Sequence, residues 1–151
     1  ILGSFRLVEE KKMIEDLFRE INTNTGKGSY GLQEVIEFLK NNVVKTLLIT
    51  DNTNLHRVEA QCKRCKHIQE DIIERPLVIP KKTEYKNNPC PECKAMDTEV
   101  NEQDIVDYLQ IIAAKTGSQL EVISGSAEHG NMLASLGKVG AILRYNPGHT
   151  K

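Results

Sequence analysis

Long hydrophobic runs are missing from this sequence. No apolar stretch reaches the about 18 to 20 residues that span a bilayer, and no charged leader precedes a short apolar segment with a small-residue cleavage site. The chain is therefore expected to be soluble and cytosolic. A surplus of either charge is missing too, since 20 basic and 21 acidic side chains leave a formal net charge of -1. Without a large positive field to gather phosphate backbones, nucleic acid is a weak default partner. Internal repeats, low-complexity tracts and long linkers are also absent. So is an initiator methionine: the chain opens ILGSF, from which we expect that sequence upstream has been cut away. At 151 residues it fits one main domain with room for a small appendage.

Signs of catalysis are equally scarce. His56, His129 and His149 stand near no cysteine or serine in a nucleophile setting, and all three are expected in exposed loops or helices. The stretch GKGSYG is glycine-rich, yet it lacks the spacing of a phosphate loop and follows a helical pattern rather than a strand. Glu9 with Glu10, and Glu15 with Asp16, lie beside lysines on helix faces expected to be solvated, where they support ion pairs one turn apart.

What is present reads as alternating helices and strands. From Glu9, EEKKMIEDLFREI places Ile14, Leu17, Phe18 and Ile21 on one apolar stripe, which predicts an amphipathic helix. Residues 22–31 predict a loop, LQEVIEFLKNN a second helix ended by Asn41 and Asn42, and VVKTLLIT a strand buried on both faces. After residue 100 a third helix is predicted, with Asn101 and Asp104 forming a cap-like start, Ile105, Leu109, Ile112 and Ala113 inward, and Gly117 as its stop. QLEVIS then reads as a strand, SAEHGNMLASLG as a short helix with Met132, Leu133 and Leu136 inward, and KVGAILRY as a closing strand. The expected fold class is α/β, a mixed central sheet between helices. Residues 59–97 interrupt it as a small inserted β subdomain, and residues 146–151 form a tail.

All four cysteines fall in that insert, as Cys62-x-x-Cys65 and Cys90-x-x-Cys93. Each pair can turn tightly enough to aim both sulfurs at one ion, and four soft thiolates at tetrahedral reach favour one zinc. The spacer between the pairs is long enough for a β-hairpin. Lys63, Arg64, Lys66 and Lys94 sit beside the ligands, where they offset the -2 charge that follows from one divalent ion and four thiolates. Disulfides are the rival in an oxidising compartment, and a redox pair is the rival for a single Cys-x-x-Cys beside a βαβ unit. His67 is a competing ligand that four cysteines make unnecessary. A closed four-thiolate shell leaves no position for water, so the expected ion is structural, a staple for an insert with few large apolar side chains.

Two stretches, EEKKMIEDLFREINTNTGKGSYGLQEVIEFLKNNVVKTLLITDN and SGSAEHGNMLASLGKVGAILRY, carry the TGK-x-x-YG turn, the EHG helix and the ILRY strand in that order. In these the chain resembles the C-terminal domain of the archaeal class I peptide chain release factor, subunit 1. Pelota, the ribosome-rescue paralogue, is similar in fold and in the last strand but lacks a two-knuckle cysteine insert. The resemblance implies the fold of the kink-turn-binding ribosomal proteins. It also implies a non-catalytic domain, residues 1–58 with 98–145, that docks the translational GTPase elongation factor one alpha and later the ABC-type recycling ATPase. Stop-codon recognition and the Gly-Gly-Gln loop for peptidyl-tRNA hydrolysis belong to other domains of that family, and this sequence has no Gly-Gly pair. By motif match the GTPase surface falls on Phe18, Ile21, Arg144 and Tyr145, although Phe18 and Ile21 also lie on the stripe assigned to the core. A monomer is expected.

Two features depart from the family pattern: Lys138 stands where a second glycine usually precedes the closing strand, and NPGHTK extends past the family's usual end. A different class of function, kink-turn RNA binding, is implied by the fold's relatives. Gln33 and Glu37 occupy the positions of the Asn and Lys of those RNA readers, and a carboxylate aimed at phosphates repels them.

Overall fold

A computed structural model of the chain describes residues 2–23 and 25–147. Ile1, Asn24 and residues 148–151 lie outside the described residues, and with them His149 and most of the expected tail. In chain order the elements are α1 (Leu2–Asn22), β1 (Gly28–Tyr30), α2 (Leu32–Lys40), β2 (Val44–Thr50), β3 (Leu55–Cys62), β4 (Ile68–Glu74), α3 (Val78–Asn87), β5 (Thr98–Asp104), α4 (Ile105–Thr116), β6 (Gln119–Ile123), α5 (Glu128–Ala134) and β7 (Val139–Leu143). A 3₁₀ turn at Arg75–Leu77 leads into α3. The chain divides into two compact units, residues 1–53 with 109–151 and residues 54–108, and the division falls inside α4.

In the first unit a four-stranded sheet runs in the order β1-β7-β2-β6. β7 is antiparallel to both β1 and β2, whereas β2 and β6 are parallel, which makes the sheet mixed. The β-branched run of β2 takes an inner position, and Val44, Leu47, Leu48, Ile49 and Thr50 are all buried, with Lys45 the exposed exception. Ile14 and Leu17 of α1 enter a cluster with Leu48, Ile123 and Leu133, and Met13, Phe18, Ile21, Leu136 and Ile142 pack around it. Each fully buried leucine or isoleucine of this kind contributes about 2 kcal/mol. At Gly140 a β-carbon would stand 2.5 Å from Leu17 Cδ2, so a larger residue there would force the buried Leu17 side chain to shift.

The predicted helix ends are found where the sequence marks them. Asn42 takes φ 64 after α2, and the Val43 N–H reaches the Phe38 carbonyl at 3.0 Å. Gly117 takes φ 71 after α4, and the Ser118 N–H reaches the Ala113 carbonyl at 2.9 Å. Asp104 caps α4 by accepting the Val106 N–H at 2.9 Å. Asn101 is no part of that cap, because it lies within β5. Three other expectations are corrected. α1 begins before Glu9, at Leu2. The expected loop 22–31 holds β1, which exists by pairing Gly28 with Ile142 and Tyr30 with Gly140 rather than by local propensity. Met132 is turned outward, 40% exposed, while Leu133 is fully buried.

The second unit is built on an antiparallel sheet in the order β4-β3-β5. Alternate residues of β3, Val58, Ala60 and Cys62, are buried. Val58 pairs with Asp71 and Glu102, and from α3 Tyr85 Oη donates to Asp71 at 2.8 Å while Lys82 pairs with Glu102 at 3.6 Å. α3 therefore covers the face that carries Val58. The segment between the two cysteine pairs is thus not the expected hairpin but a strand, a 3₁₀ turn and a helix.

Candidate metal centre and partner-binding residues

Two tight turns with the same hydrogen-bond pattern carry the cysteines. In the first, the Lys66 N–H reaches the Cys62 carbonyl at 2.9 Å and the Cys62 N–H reaches the His67 carbonyl at 2.9 Å. In the second, the Lys94 N–H reaches the Cys90 carbonyl at 2.8 Å and the Cys90 N–H reaches the Ala95 carbonyl at 2.9 Å. Lys66 and Lys94 close these turns in the left-handed region, at φ 67 and 63. The turns meet because Cys62 ends β3, beside the start of β5 at Thr98, and the Lys63 N–H reaches the Asp97 carbonyl at 2.8 Å.

The four sulfurs lie within 4.8 Å of one another. Across the two turns Cys62 faces Cys93 and Cys65 faces Cys90, each pair at 3.5 Å. A tetrahedron of sulfurs at about 2.3 Å from a zinc ion has edges of about 3.8 Å, so donor type and spacing both fit a metal ion. One cysteine of each turn is buried, Cys62 and Cys90, and one is exposed, Cys65 and Cys93. The Cys65 amide, opposed by burial, draws the Cys62 thiol down to about 6, and the Cys93 amide lowers Cys90. Cys65 receives the His67 amide, yet burial and the sulfurs of Cys90, Cys93 and Cys62 outweigh it and push it up to about 12. Crowded sulfurs cannot all ionise alone, and a cation at their centre removes that conflict.

The other predicted positions are scattered in character. Phe18 and Ile21 are partly buried and pack against the core cluster of the first unit. Arg144 lies just past β7, where Nε donates to the Val44 carbonyl at 3.0 Å and an Nη to the Thr116 carbonyl at 3.0 Å. Tyr145 is 52% exposed. Lys138 stands in the left-handed region, at φ 72, with Nζ donating to the Asn52 carbonyl at 3.2 Å.

Two residues expected on the surface are in fact buried. Glu10 is 3% exposed and His129 8%, and His129 Nε2 meets Glu10 Oε1 at 2.9 Å. The same oxygen accepts the Ser124 N–H at 3.0 Å. A signal for Glu10 was available, because the α1 stripe of Ile14, Leu17 and Ile21 extends one turn back onto residue 10. His129 likewise precedes Leu133 by one turn. Polar residues on apolar stripes mark buried pairs when two stripes face each other, as α1 and α5 do here.

Comparison with known proteins places the chain closely. A family model described as eRF1 domain 3 matches residues 7–147. Peptide chain release factor subunit 1 of Methanocaldococcus jannaschii is 29% identical over 147 residues, which are 96% of this chain and 35% of that protein. The chain thus spans about a third of its curated relatives. The solved C-terminal domain of the peptide chain release factor from Methanosarcina mazei superposes with a TM-score of 0.83 at 28% identity, covering 98% of this chain and 89% of that one. Pelota from Archaeoglobus fulgidus shares the fold at a TM-score of 0.59 and 22% identity, over 98% of this chain and 33% of that one.

Proposed function

The chain belongs to the eRF1 domain 3 family, and from that premise we propose that it is the non-catalytic, C-terminal protein-interaction domain of an archaeal peptide chain release factor. It docks elongation factor one alpha, the GTPase that delivers the factor to cytoplasmic ribosomes stopped at stop codons, and later the ABC-type recycling ATPase. The observation that carries this reading is coverage: 96% of the chain matches a release factor, but only 35% of that factor is matched. The matched third is domain 3, which leaves codon recognition and peptidyl-tRNA hydrolysis to the unmatched remainder.

The mixed sheet of the first unit and its helices are the docking body, of the kink-turn-binding ribosomal-protein type, and act as a monomer; within the expected span 1–58 and 98–145, β5 and the start of β3 pair in the other sheet. Arg144 and Tyr145 are the exposed members of the four partner-binding positions, Phe18 and Ile21 are partly buried, and Arg144 ties the end of the last strand to the Val44 and Thr116 carbonyls. Residues 59–97 form a zinc ribbon, in which Cys62, Cys65, Cys90 and Cys93 hold one structural zinc. Four thiolates close the shell, so the ion supplies cross-linking and no activated water.

Capture of GTP-bound elongation factor one alpha by the immobilised chain tests this reading, with kink-turn RNA as competitor. Tyr145→Ala is expected to weaken capture at least tenfold with an unchanged melting temperature. Phe18→Ala is expected to weaken it as well, with some loss of stability from the core. RNA capture without GTPase capture would transfer the domain to the kink-turn binders.

A further inference from the structure

Two lysines stand where the backbone favours glycine. Lys66 and Lys94 each follow the second cysteine of a turn, at φ 67 and 63, a conformation that every side chain with a β-carbon resists and glycine adopts freely. Lys63 and Arg64 fill both positions between Cys62 and Cys65. All four cations are exposed, and among the described residues no carboxylate pairs with them. The contrast within the same unit is sharp. Arg57 is held by Glu59 and Glu70, Lys81 by Asp71 and Glu84, and Lys82 by Glu102.

At the sulfur cluster itself, on its exposed Cys65 and Cys93 side, opens a recess of about 750 Å³ whose other lining residues are Arg64, Ala95, Met96 and Asp97. Its rim offers a planar guanidinium and the 62% exposed side chain of Met96. Flat cationic and apolar groups next to point charges suit a base next to its phosphate.

We propose that the cysteine-turn face of the second unit docks on RNA, with Lys63, Arg64, Lys66 and Lys94 on the phosphate backbone and an unstacked base against Arg64 and Met96. Glu92 and Asp97 share this face and the chain carries no net positive charge, so the contact is weak and strongly salt-dependent. Neutralising a cage of charge -2 is the rival role for the lysines. It needs only two of the four cations, and it gives no role to the exposed Met96 beside Arg64. The proposal is independent of the GTPase reading, since none of these residues lies among the partner-binding positions.

The test is fluorescence anisotropy of the zinc-loaded chain with a labelled single-stranded RNA across a potassium chloride series. Four contacts give a slope of log affinity against log salt of about -3, and the double variant Lys66→Gly, Lys94→Gly loses about 1.4 of it. Glycine suits both backbones, so the variant is expected to melt no lower than the parent, and lost binding cannot be lost folding. An unchanged slope in the variant overturns the proposal. So does equal binding of poly-glutamate, which makes the face an acidic-protein site. Faster zinc loss to a chelator with RNA binding intact overturns it too, because the lysines then serve the cage alone.

Discussion

His129 shows how much one buried polar contact can decide. The Glu10 carboxylate, 3% exposed, accepts the Ser124 N–H at 3.0 Å and meets His129 Nε2 at 2.9 Å, tying α1 to α5 and to the end of β6. A buried carboxylate that loses a donor bears its desolvation cost with less return. His129→Ala is therefore expected to destabilise the first unit by about 2 kcal/mol in urea unfolding, and Glu10→Gln, which keeps shape and an acceptor oxygen, by less. Equal stability of His129→Ala and the parent would show that the contact is incidental. Part of this pair was legible in the sequence as polar residues on apolar stripes. Their adjacency was not, because residues 10 and 129 meet only through the folded sheet.

At the scale of elements, local signals were enough where an element is made by its own sequence. The α1 stripe, the β2 run and the stops at Asn42 and Gly117 all take their predicted places. They failed where a partner makes the element. β1 is Gly-Ser-Tyr held by β7, and α3 has only Val78 buried, so neither carries a periodic pattern to read. What holds α3 is polar instead: Tyr85 Oη donates to Asp71 at 2.8 Å and Lys81 pairs with Asp71 at 3.1 Å. Burial pushes the Asp71 carboxyl up, but Tyr85 and Lys81 outweigh it and hold it below the usual carboxylate range. A carboxyl lowered on folding adds stability above its unfolded value of about 3.9, and that stability is lost as pH falls through the lower folded value. Tyr85→Phe should move the Asp71 titration upward in an NMR pH series and shift acid unfolding of the second unit to higher pH. An unmoved Asp71 titration would remove Tyr85 from the account.

For the whole molecule the central claim is a division of labour. Phe18, Ile21, Arg144 and Tyr145 belong to the first unit, and the four cysteines to the second. The paired Cys-x-x-Cys spacing made the sulfur cluster readable from sequence alone, since its ligands come in local turns. The proposed partner surface came from motif match and not from the residue pattern, because Phe18 and Ile21 lie on the same stripe that builds the core. If the cage only staples its own unit, Cys90→Ser must unfold residues 54–108 and leave GTPase docking untouched. The most direct measurement is a calorimetric titration of GTP-bound elongation factor one alpha into the zinc-loaded chain and into Cys90→Ser. Equal affinities, with amide signals of the second unit collapsed in the variant, are the predicted result. Loss of binding along with the zinc, or no binding by the intact chain, would contradict it.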